Sequence, residues 1–86
     1  MTNQQLLTQL AEPGTYLIYL GVGKTEVFYL YRNTTGFSSV SGQLALVQLA
    51  GLEAQSYIRA EVLPGSIILM YHLTDKGREL VGSWAS

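Results

Sequence analysis

The chain is 86 residues long with a formal net charge of −1. It is therefore read as one small domain, residues 1–86, which buries only about 60–65% of its unfolded surface and carries no overall basic field to draw in nucleic acid. The absence of cysteine excludes disulfides and thiolate metal sites, and a single histidine, His72, falls short of an imidazole metal site.

Apolar residues make up 48% of the chain and charged residues 13%, against ~25% charged in an average domain. So few charges leave apolar surface to be covered, and the composition predicts a homodimer. Met1 to Gln5 carry no positive charge and lead into no long apolar run, so no secretory signal is expected. The apolar runs are far short of the ~20 residues that cross a bilayer. A cytoplasmic protein without membrane partner or cofactor is the expectation.

Thr2 to Ala11 reads as a short helix. Leu6, Leu7 and Leu10 form one apolar stripe, Thr2 or Asn3 caps it, and Pro13-Gly14 stops it. Thr15 to Arg32 holds two runs of β-formers, Tyr16 to Val22 and Val27 to Tyr31, around Gly23-Lys24, which reads as a hairpin with a tight glycine turn. Both strands are apolar on both faces, which predicts cover on both sides. Gly21-Val22-Gly23-Lys24-Thr25 has the tail of a phosphate-binding loop. Ile18 stands where that motif needs its first glycine, and a strand follows where it needs a helix. The turn explains the same residues.

Asn33 to Ser39 reads as a polar loop. Ser41 to about Gln55 reads as a helix capped by Ser38, Ser39 or Ser41, with Ser41, Gln48 and Gln55 on a narrow polar strip. An otherwise apolar helix of this kind is expected to be buried on more than one side. Tyr57 to Leu63 and Ser66 to Leu73 read as a second hairpin turning at Pro64-Gly65. Thr74 then caps a last helix from Asp75 to Val81, with Asp75 at its positive end.

Two phrases carry a family resemblance. Leu49-Ala50-Gly51-Leu52-Glu53-Ala54-Gln55-Ser56-Tyr57-Ile58 is similar to the end of a recognition helix and its step into a strand. Tyr71-His72-Leu73-Thr74-Asp75-Lys76-Gly77-Arg78-Glu79-Leu80 is similar to the phrase that closes the wing and opens the last helix. Together they make the C-terminal half, about Val40 to Val81, resemble a winged-helix domain of the MarR and PadR groups of regulators. The resemblance implies an α+β, winged-helix-like domain of order α-ββ-α-ββ-α, with a β-hairpin in place of the usual second helix.

It also implies a dimeric transcription regulator that binds double-stranded DNA through the Ser41–Gln55 helix. Candidate DNA contacts are Arg32, Asn33, Ser38, Ser39, Ser41 and Gln43 in and after the polar loop, Gln48 on the helix and Arg59 on the wing. Side chains of these types hold phosphates or read base edges. The Ser41–Gln55 segment has no Lys or Arg, and the wing tip Leu63-Pro64-Gly65-Ser66 has no cation. A second reading therefore stands beside the first: a winged-helix-like module that associates with another protein or with itself and does not bind DNA.

No catalytic constellation emerges. The carboxylates Glu12, Glu26, Glu53, Glu61, Asp75 and Glu79 are scattered, His72 has no nucleophile phrase beside it, and no enzyme is expected. The six tyrosines could form a stacking platform for single-stranded nucleic acid, but no basic run accompanies them. Core and interface roles are the stronger expectation.

Overall fold

Leu6, Leu7 and Leu10 fall on one side of a helical turn, and the first helix, α1 (Asn3–Leu10), buries all three. Its start is a reciprocal capping box. The Gln5 amide donates to the Thr2 hydroxyl at 3.1 Å, and the Thr2 amide donates to the Gln5 side chain at 2.9 Å; each satisfies a donor that the first turn leaves free. This computed structural model describes residues 1–66 and 68–84. Ile67, which the expected second hairpin includes, lies outside the described residues.

Beyond the Pro13-Gly14 turn come β1 (Tyr16–Val22) and β2 (Thr25–Arg32), joined through Gly23 with φ +62°. The polar segment that follows is not all loop. Gly36, at φ +75°, reverses the chain after Asn33-Thr34-Thr35, and β3 (Gly36–Ser39) returns along β2. The order is thus α-βββ-α-ββ-α, with one strand more than the sequence predicts. A glycine in the left-handed region lets a run of poor strand formers turn and pair.

The second helix, α2 (Leu46–Ala54), starts five residues later than the predicted Ser41. Gly42 sits at φ +83°, outside the helical region, and Ser41 caps nothing. The Ser41 hydroxyl instead accepts from the Phe28 amide at 3.1 Å and donates to the Phe28 carbonyl. Helix α2 ends with its last carbonyls closed by the Ser56 and Tyr57 amides, which donate to Glu53 and Leu52. Ser56 takes the left-handed conformation that this motif usually gives to glycine. Strands β4 (Ile58–Val62) and β5 (Ile68–Leu73) and helix α3 (Asp75–Trp84) complete the chain.

The strands form one antiparallel sheet of order β3-β2-β1-β5-β4. Leu17 pairs with Leu30 on one side and Tyr71 on the other, and Ile58 pairs with Leu73. Because side chains alternate, the buried strand residues Leu17, Phe28, Leu30, Ile58, Tyr71 and Leu73 share one face. They meet Leu6, Leu7 and Leu10 of α1 and Leu49 and Leu52 of α2 in a single core. Among the described residues the expected cover on both faces of the hairpin is not found. The opposite face contributes nothing to that core or to the residues packed against it. Nor is α2 buried on several sides: Leu49 and Leu52 go inward, while Val47 is 80% exposed. Ala50, Gly51 and Ala54, also exposed, raise the apolar count of the sequence without supplying bulk to bury.

Helix α3 is fixed by contact with the α2–β4 link. The Thr74 hydroxyl accepts from the Gly77 amide at 3.0 Å and donates to the Ser56 carbonyl. The Thr74 amide donates to the Tyr57 carbonyl at 3.0 Å, and the Lys76 ammonium donates to the Gln55 carbonyl at 2.9 Å. A Cβ on Gly77 would fall on the Tyr57 carbonyl oxygen and on the Leu73 side chain.

Gly77→Ala gains about 1 kcal/mol of helix propensity and incurs an overpacking cost of about 3 kcal/mol against backbone that cannot rotate away. The expected result is a lower urea midpoint, and a raised midpoint refutes the close approach. Burial raises the Tyr71 phenol above its ordinary pKa near 10, helped by the charge of Glu53 and then by Tyr19. A raised folded pKa means the contribution is complete below pH ~10 and is lost as pH climbs toward the folded value. Wild-type stability therefore falls more steeply above pH ~10 than that of Tyr71→Phe, as read from urea midpoints of the two proteins at rising pH.

Candidate functional site: the uncovered sheet face

The sheet face opposite the helices carries a row of rings across its strands. Phe37 on β3 pairs in register with Tyr31 on β2, and Tyr31 with Tyr16 on β1. Tyr16 touches His72 on β5, and His72 pairs with Arg59 on β4. The rings are in contact: Tyr16 and Tyr31 stack at 4.8 Å, Tyr31 and Phe37 meet at 4.9 Å, and Tyr16 and His72 at 5.7 Å. The next row runs Ser39, Tyr29, Ile18, Met70, Glu61, and a third contains Val27, Leu20 and Ile68. Phe37 is 59% exposed, and the interior members of these rows are half-buried.

Charge on this face is confined to the β4 edge. Arg59 lies 3.9 Å from Glu61, and the same carboxylate lies 3.5 Å from His72 Nε2. His72 Nε2 is shielded from solvent without a hydrogen bond of proper geometry. Beyond the third row the face continues into a shallow apolar groove at the tip of the second hairpin, bordered by Leu20, Val62, Leu63 and Ile68.

The residues proposed from sequence as DNA contacts are distributed differently. Arg32, at the end of β2, faces the helix side and pairs with Glu12 at 3.5 Å. Asn33 is exposed in the β2–β3 turn, with its Cβ over Gly14. Ser38 and Ser39 are exposed on the β3 edge, Ser38 toward the helix side and Ser39 toward the open face. Ser41 is held by the Phe28 backbone. Gln43 is exposed, and its carbonyl accepts from the Met1 nitrogen at 2.8 Å. The Gln48 amide donates to Asn3 Oδ1 at 2.7 Å and to the Met1 carbonyl at 3.1 Å. Arg59 stands on the opposite edge of the sheet from Ser38 and Ser39. Among the described residues Lys24 alone of the five cations has neither a carboxylate nor a carbonyl partner.

Of the six tyrosines, Tyr16, Tyr29 and Tyr31 lie on the open face. Tyr19 and Tyr71 face the helices, and Tyr57 lies under the Lys76 ammonium at 5.1 Å. Phe37 and Met70 were not singled out from sequence, and Ile18 only as a strand residue in the place of a phosphate-loop glycine. Their signal is the two-faced apolar character of β1 and β2, which fits a face awaiting a partner as well as one covered by its own chain. No group of three His, Cys, Asp or Glu is placed to hold a metal among the described residues. No helix of the described residues is long and apolar enough to cross a membrane. Searches of family models, curated proteins and solved structures find nothing that matches the chain.

The bonds made by Ser41 and Gln48 predict a structural role for both. Ser41→Ala and Gln48→Ala are each expected to lower unfolding free energy by about 1 kcal/mol, the usual net worth of a part-buried hydrogen bond. Denaturant titration checks this, and unchanged midpoints count against it.

Proposed function

We propose that the chain is a non-catalytic, cytoplasmic association module in a winged-helix-like frame, whose working surface is the uncovered sheet face. The observation that carries this reading is the continuous row Phe37, Tyr31, Tyr16, His72, with apolar rows beside it and charge only at one edge. Aromatic residues and methionine surrounded by sparse charge are the composition of an interface centre. The succession of α2, the β4–β5 hairpin and α3 supports the winged-helix-like frame, since it is the order that the closing phrase implies.

The same frame could serve a transcription regulator, and electrostatics separates the two uses. Duplex affinity comes mainly from phosphate neutralisation. Helix α2 exposes Val47, Ala50, Gly51, Glu53 and Ala54, with no cation among them, and Arg32 and Arg59 already face carboxylates.

The expected outcome is no measurable binding to random duplex DNA at physiological salt and a flat response of anisotropy to salt. In cells that make the protein, chemical cross-linking captures a partner on wild type and on Val47→Glu but not on Met70→Glu, which places a charge on the open face. Capture unaffected by Met70→Glu, or tight duplex binding with a steep salt slope, overturns the reading.

A further inference from the structure

The partner that fits this face is a second copy, and the distribution of charge selects how the two meet. We infer that two chains pack open face to open face about a two-fold axis running along β1. This rests on the association reading above and names its partner.

Strands spaced about 4.8 Å, the central two being seven and eight residues long, give a face of roughly 450 Å² in projection. A standard interface takes about 800 Å² of accessible surface from each partner, so a face of this size corresponds to a small dimer interface. Two such faces stack about 10 Å apart with strands offset by about 30°. A small chain with few charges then gains a second core of its own composition.

Strand β1 is the middle strand of five. An axis along it lays β1 on the partner copy's β1, β2 on its β5, and β3 on its β4. Tyr29 and Tyr31 then meet the Met70 and His72 positions of the second copy. The charged edge carrying Arg59 and Glu61 meets the uncharged edge carrying Phe37 and Ser39. A guanidinium over an aromatic ring and a carboxylate beside a hydroxyl are both favourable pairings. An axis across the strands instead lays β4 on β4 and brings Glu61 near its own copy, and like charges at close range disfavour that arrangement. The face is asymmetric from edge to edge, and the axis along β1 turns that asymmetry into complementarity.

Because the chain has no cysteine, introduced thiols report geometry without background. Sedimentation of the purified chain at about 50 µM is expected to give twice the 9.4 kDa chain mass, and Met70→Glu to give the monomer. A short bis-maleimide is expected to join Ile18→Cys to itself, and Ser39→Cys to Glu61→Cys in a mixture. Neither edge variant joins itself. A monomer at that concentration overturns the second copy as partner. If Met70→Glu still abolishes capture in cells, the association reading survives that result, and if it does not, both fall. Self-joining of Glu61→Cys overturns the axis. Tight binding of a single-stranded oligothymidylate that Tyr31→Ala abolishes overturns the protein partner in favour of a stacking platform.

Discussion

The first turn of α3 lies so close to the α2–β4 link that no side chain fits between them. Gly77 has a backbone carbonyl where its Cβ would be, and Thr74 uses its one hydroxyl twice, accepting from Gly77 and donating to Ser56. This contact ties the end of α2, the start of β4, the end of β5 and the start of α3 at one point. Ser56 adopts a left-handed conformation to make the corner, and the neighbouring bonds over-determine that strain. With the corner set, Ile58 and Leu73 enter the core paired, and β5 is held beside β1. The second hairpin thereby joins the sheet begun by the first.

The sheet is consequently larger than the helices can cover. Three short helices place their apolar stripes against one face, and the chain has no further helix among the described residues for the other. The apolar content of β1 and β2 serves two purposes. Leu17, Phe28 and Leu30 build the core, and Tyr16, Ile18, Tyr29 and Tyr31 build a surface. An antiparallel sheet with one face to solvent normally alternates apolar and polar side chains. That alternation is absent here, since the open face of β1 and β2 carries Tyr16, Ile18, Tyr29 and Tyr31.

Local signals were legible in the sequence where one residue had one role. Thr2 and Thr74 cap as their positions imply, Pro13-Gly14 and Gly23-Lys24 turn, and the leucines of α1 go inward. Misreadings arose where distant parts of the chain decide. Ser41 has the character of a cap, but the backbone of β2 thirteen residues earlier claims its hydroxyl. Gly36 converts a polar loop into a turn and a strand, which residue propensity alone does not show. Gln48, polar on an otherwise apolar helix, gives its amide to Asn3 of α1, a partner forty-five residues away that spacing along one helix does not reveal. The open face was half legible: the two-faced strands were visible in the sequence, but whether its own helices or a partner covers them depends on a helix count that periodicity does not supply.

The two outer strands bear on what happens when such a chain is concentrated or heated. An open sheet invites growth by addition of strands at its edges. Here β3 is only four residues long, and β4 carries Arg59 and Glu61 in alternation with small or branched neighbours. A short edge at one end and a charged edge at the other discourage lateral pairing, so the bare apolar face can remain sticky without making the sheet a template for fibrils.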